Sequence, residues 1–89
     1  MISIEIVVSG KVQGVWFRRF VLKQALKHKI SGYVENSDNR DVFIKASGSE
    51  TDMNHFIKQV SKGNLFSRVK NIQTFTTLED KEIKGFFIR

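Results

Sequence analysis

From Gly10 to Arg18 the chain reads Gly-Lys-Val-Gln-Gly-Val-Trp-Phe-Arg, two glycines followed closely by an aromatic pair and a guanidinium. Glycine allows backbone conformations that a Cβ would block, so successive N–H groups between Gly10 and Gly14 can turn toward one point. The helical pattern that begins near Val15 adds unpaired first-turn N–H groups and the positive end of a helix dipole. Arg18 adds a fork of donors matched to phosphate oxygens. The chemistry of this stretch is that of an anion cradle. A plainer reading is a tight strand-to-helix turn with solvated Lys and Arg side chains, and a glycine pair with basic neighbours does not by itself exceed it.

The rest of the chain offers little for acid–base work. His28 falls near the end of the first helical pattern, and His55 lies away from Met53, Phe56 and Ile57 on the second, so neither belongs to the loop. No spacing of histidines or carboxylates suggests a metal site. The sequence has no cysteine, which excludes disulfides, thiolate metal sites and a thiol nucleophile. Whatever the cradle does, it does through positioning and charge.

The surrounding elements must hold that loop. Ile2, Ile4, Ile6 and Val8 alternate with Ser3, Glu5, Val7 and Ser9, the period of a strand with one buried face. After the loop, Phe17, Phe20, Val21 and Ala25 form the apolar side of a helix that Leu22 and Leu26 widen and Gly32 ends. At about 100° per residue, Arg18 falls inside the apolar arc between Ala25 and Leu22, whereas Arg19 falls outside it among Leu26, Lys23 and Lys27. The two arginines therefore differ in role. Tyr33 to Asn36 and Val42 to Ala46 read as strands joined into a hairpin by Ser37-Asp38-Asn39-Arg40-Asp41. Gly48-Ser49 opens a second helix with Ser49 as N-cap and Asp52 three residues on, carrying Met53, Phe56, Ile57 and Val60 to a stop at Gly63. Arg68 to Thr77 reads as a fourth strand, Gly85 to Ile88 as a short fifth, and Leu78 to Lys84 as a charged turn. This order, β-α-β-β-α-β plus a short C-terminal strand, predicts an α+β ferredoxin-like sandwich with two helices packed on one face of an antiparallel sheet. Where the fifth strand pairs stays open.

Gly10-Lys11-Val12-Gln13-Gly14-Val15-Trp16-Phe17-Arg18 resembles the signature of the acylphosphatase family, G-x-V-Q-G-V-x-F-R, at every fixed position. The resemblance implies the same ferredoxin-like fold over essentially the whole chain. It implies hydrolysis of small acyl phosphates to a carboxylate and orthophosphate, with no cofactor or metal. It places Gly10, Lys11, Val12, Gln13, Gly14, Val15, Trp16 and Phe17 around the phosphoryl group and makes Arg18 a catalytic residue. It also marks Asn36, a few residues after the Gly32-Tyr33 pair, as the group that orients the attacking water; on composition alone Asn36 is an ordinary hairpin residue. The family often has a glycine before the third strand where this chain has Asn39-Arg40-Asp41, so the turn relies on Asn39 at positive φ or on a changed geometry. The absence of an acid–base pair agrees with such chemistry, because a carboxylate leaves without being protonated and phosphoryl transfer depends on positioning and charge stabilisation.

With 89 residues, the chain is expected to form one domain, residues 1–89, with a single modest core. Fifteen Lys+Arg against nine Asp+Glu leave a formal charge of +6, which would attract phosphates, nucleic acid or an anionic membrane surface without choosing among them. The lysines are dispersed, so the charge reads chiefly as solubility. Met1 to Glu5 show no basic segment leading into an apolar run. The expectation is a cytoplasmic monomer with acyl phosphate and orthophosphate as its partners, and no specific nucleic acid or membrane. Two alternatives use the same fold: a phosphate-binding module without catalysis, and an RNA-binding module using Lys84-Gly85-Phe86-Phe87-Ile88. Against the second, that strand closes the chain instead of preceding the second helix, and Phe86 and Ile88 are expected in the core.

Overall fold

Alternation of apolar residues builds the sheet. The computed structural model describes residues 1–14, 16–77 and 83–89. β1 (Ile2–Lys11) buries Ile4, Ile6 and Val8 on one face. β2 (Ser31–Asn36) and β3 (Val42–Gly48) form the hairpin, contributing Val34, Val42, Ile44 and Ala46 to the same core. β4 (Arg68–Thr76) and β5 (Phe86–Ile88) complete a five-stranded sheet of order β4-β1-β3-β2-β5. β5 pairs parallel with β2, Gly32 opposite Phe86 and Val34 opposite Ile88, which makes the sheet mixed. β4, at the opposite edge, has no fully buried residue and is largely polar, as an unpaired edge should be.

α1 (Phe17–Lys27) and α2 (Glu50–Lys62) cover the sheet through Phe17, Val21 and Ala25 on one and Met53, Phe56 and Val60 on the other. The two-helix ferredoxin-like arrangement expected from element order is the one found, except that the sheet is mixed and not wholly antiparallel, because β5 runs parallel to β2. Phe56 and Phe86 meet edge-on at 6.3 Å, so the short last strand closes the core.

The α1 boundaries differ from expectation for identifiable reasons. The helix starts at Phe17, because Trp16 takes a left-handed conformation (φ 63°) as its N-cap. It ends at Lys27, well before Gly32. Lys29 takes the left-handed position (φ 58°), and the Ile30 N–H donates to Ala25 O at 2.8 Å while Ile30 packs into the core. That is a hydrogen-bonded helix stop with its apolar contact, made without glycine. Gly32 serves β2 instead: a Cβ there would collide with the carbonyl of Lys45 on β3. Leu22 is partly buried against the core, but Leu26 is mostly exposed and does not widen the apolar face as expected.

Phe86 is buried as expected and cannot stack on a base. Ile88 is not in the core; it is 39% exposed, since the core ends at the preceding apolar layer. Most of the charged turn expected over Leu78 to Lys84 lies outside the described residues.

Candidate active site

Strand pairing brings the loop, the hairpin and the end of β5 together. Val8 pairs with Val42, Val42 with Asn36, and Lys11 with Arg68. The exit of β1, the end of β2 and the starts of β3 and β4 therefore lie along one end of the sheet. On β2, Val34 points into the core beneath the helices; Asn36, two residues on, shares that face and emerges from the core exposed.

The loop is pinned at both ends by apolar side chains, Val12 and Phe17, each 1% exposed. Between them Gly14 and Trp16 stand at the surface. Val15 lies outside the described residues. The two glycines do different work. Gly10 (φ 127°) sits at a bulge between β1 and β4, where a Cβ would run into the Arg68 carbonyl and the Lys70 N–H, so its duty is to the sheet. Gly14 (φ 70°) has open space where a Cβ would stand and is needed only for the backbone turn of the loop.

Gln13 is the residue whose function sequence reasoning missed. Its side-chain Nε2 donates to Ser37 O at 2.9 Å and to Asp41 O at 2.8 Å, clamping the loop to the hairpin turn next to Asn36. Of the two alternatives for the turn, the structure takes the changed geometry. Arg40, not Asn39, takes positive φ (72°), because the Asn39 carboxamide oxygen is engaged by Ser37 Oγ at 2.9 Å and by the Asp41 N–H at 3.4 Å. A side-chain cap thus replaces the glycine.

The ends of the two helices are built oppositely. In α2, Ser49 Oγ accepts from the Asp52 N–H at 3.1 Å, and Glu50 and Asp52 stand in the first turn. In α1, Trp16 makes no side-chain cap, no acid stands in the first turn, and Arg18 and Arg19 occupy it instead. Two cations at the positive end of a helix dipole oppose folding, by about 0.3–1 kcal/mol each at exposed positions. An anion at this end would reverse that sign.

Arg18 is half-buried, and its Nη1 donates to the Arg89 main-chain oxygen at 2.7 Å. Arg19 is exposed, with its guanidinium carbon 5.2 Å from the Trp16 ring centroid. The difference read from helical phase is present, although both arginines border one depression of about 370 Å³ with Val12, Gly14, Trp16 and Ile88. Gly10, Lys11 and Gln13 lie instead along a second hollow of about 630 Å³ with Asn39, Arg40, Asp41 and Lys70; Val12 borders both. Asn36 borders neither of these two and is tied to the loop through the Gln13–Ser37 bond. Among the described residues no three His, Cys, Asp or Glu stand close enough to hold a metal, and no helix is long and apolar enough to cross a membrane. His28 and His55 face each other across the helices at 5.9 Å, away from the loop.

The model of the acylphosphatase family matches residues 4–88. The chain belongs to the acylphosphatase family. An acylphosphatase from Bacillus licheniformis is 43% identical over 86 residues, 97% of this chain and 92% of that one. The crystal structure of acylphosphatase from Bacillus subtilis superposes with a TM-score of 0.96 at 37% identity, covering 100% of this chain and 99% of that one. An acylphosphatase structure from Coxiella burnetii gives 0.92 at 30% identity, over 99% of this chain and 92% of that one. In this acylphosphatase-family enzyme, the mixed five-stranded sheet with its two helices is thus the family fold, and the motif loop sits at the end of the sheet where β1, β2 and β3 meet.

Proposed function

We propose that the enzyme hydrolyses the carboxyl–phosphate bond of small acyl phosphates, releasing a carboxylate and orthophosphate. The observation that carries this reading is the α1 N-terminus, uncapped, without a carboxylate, with two arginines in its first turn and Arg18 already held in place. Such an end is suited to a phosphoryl group. Main-chain amides between Gln13 and Phe17, together with Arg18, hold the phosphoryl oxygens. Asn36 orients water on the hairpin that Gln13 clamps to the loop. Water oxygen forms the new bond to phosphorus as the bond to the carboxyl oxygen breaks, and the electron pair departs with the carboxylate. A substrate oxygen takes the proton, so no protein base is required. In the same reading residues 1–89 act as one domain, a cytoplasmic monomer.

Phosphate release from acetyl phosphate in the presence of a metal chelator tests this. Steady hydrolysis is expected, with a phosphate monoester such as p-nitrophenyl phosphate far slower. A folded protein that binds orthophosphate yet hydrolyses no acyl phosphate would be a phosphate sensor instead.

A further inference from the structure

We propose that the surface formed by the outer side of α1 and the turn between α2 and β4 docks this enzyme onto anionic phospholipid. The inference is independent of the hydrolase reading. Cations that look dispersed along the sequence are gathered by the fold. No carboxylate occurs in residues 6–34 or 53–77, and those two stretches supply the motif loop, α1, the C-terminal part of α2, the α2–β4 turn and β4. On α1, Arg19, Lys23, Leu26 and Lys27 fall within an arc of about 100°, and all four are exposed. At the near end of that stripe Lys11 pairs in register with Arg68, the first residue of β4, so two more cations stand beside the α2–β4 turn.

Large apolar side chains stand among these cations and are turned outward with them. Leu65, in the turn, is 90% exposed, its neighbour Phe66 62%, Trp16 64% and Leu26 63%. Trp16 lines one hollow with Lys11 and Phe66 and a second with Arg19, Lys23 and Asn64, so the loop, the turn and α1 form one continuous surface. Apolar tips rimmed by Lys and Arg, with no carboxylate in the stretches that carry them, suit the boundary of an anionic bilayer. There the tips enter the acyl region while the cations stay among the phosphates. Nucleic acid would accept the charge and the two aromatic rings, but Leu26 and Leu65 have no π-face to offer a base. A second copy of the chain would bring like charges together.

Sedimentation of the full chain with vesicles tests this, comparing equal parts of phosphatidylcholine and phosphatidylglycerol with phosphatidylcholine alone at physiological ionic strength. The protein should pellet with the mixed vesicles only, less so as salt rises. Emission from Trp16, the only tryptophan, should shift to the blue on binding. Lys23→Gln with Lys27→Gln should lower the partition coefficient about 25-fold, since each cation near such a surface contributes roughly fivefold. Leu65→Ser with Phe66→Ser should lower it about tenfold and shrink the blue shift. Both pairs are exposed and lie outside the motif loop, so circular dichroism and acetyl phosphate hydrolysis should match the wild type. Wild-type protein that ignores the mixed vesicles, or binds both kinds equally, overturns the proposal, as does a folded double variant of either pair that binds like wild type. Binding to a single-stranded oligonucleotide that is tighter than to the mixed vesicles, lost with the lysine pair and kept without Leu65 and Phe66, overturns it in favour of nucleic acid.

Discussion

Arg18 Nη1 donates to the main-chain oxygen of Arg89 at 2.7 Å, joining residues 71 positions apart. Arg89 is itself held: its N–H donates to Val34 O at 2.8 Å and its guanidinium carbon lies 3.9 Å from the Tyr33 ring centroid. The parallel pairing of β5 with β2 thus braces the side chain proposed to bind phosphate. Arg18→Gln should lose both orthophosphate affinity and turnover, at least about 100-fold in kcat/KM, because an amide brings neither charge nor fork. Arg18→Lys should recover only part. Arg19→Gln should cost less than about tenfold on acetyl phosphate, since its partner is the Trp16 ring. Initial rates and competitive inhibition by orthophosphate measure these, and equal damage from the two Gln substitutions in folded proteins would sink the assignment.

Gln13 and Asn36 should share a kinetic pattern for different reasons. Asn36→Ala removes the group proposed to orient water, so turnover should drop far more than phosphate affinity. Gln13→Ala removes one donor from each of the Ser37 and Asp41 carbonyls, which keep the Arg40 N–H and the Ser37 N–H and Oγ, and should cost about 0.5–1.5 kcal/mol in urea denaturation besides lowering turnover. Gln13→Glu should be worse, as a carboxylate would face two carbonyl oxygens. A Gln13→Ala enzyme with wild-type kinetics would show that the clamp does not position Asn36.

The two glycines of the loop should separate by stability. Gly14→Ala meets only open space and a positive φ, a cost on the order of 1 kcal/mol that leaves a folded protein. Gly10→Ala puts a methyl group into the β4 backbone at Arg68 and Lys70, where nothing can yield cheaply, and should unfold much of the protein or reduce its soluble yield. Chemical denaturation of the pair, read by circular dichroism, decides this; equal midpoints would refute the distinction.

Orthophosphate should stabilise the fold by relieving two cations at the α1 N-terminus. At a hundredfold excess over Kd the gain is about 2.7 kcal/mol, a rise in Tm on the order of 10 °C for a chain of this size. Arg18→Gln should abolish most of that rise at the same phosphate concentration. Calorimetry with and without phosphate at constant ionic strength checks it, and a rise equal in both proteins would place the anion elsewhere.

Local order determined much of this protein in its sequence. The alternation of Ile4, Ile6 and Val8 needs only a strand's period, and Ser49 with Asp52 caps α2 through contacts within one turn. The motif around Gly10 to Arg18 likewise pointed to an anion and to Arg18 over Arg19, because helical phase is itself a local property. Tertiary structure decided the rest, since each remaining role depends on a partner brought close by strand pairing. The sheet's need for a glycine at position 10 appears only once β4 lies against it, and Gly32 looks like a helix stop until β3 lies against it. Gln13 cannot be read as a clamp before the β2–β3 turn is folded beside the loop. The parallel placement of β5, which puts Ile88 at the depression and Arg89 under the Arg18 guanidinium, depends on backbone hydrogen bonds with β2, and those carry no side-chain signature in the sequence.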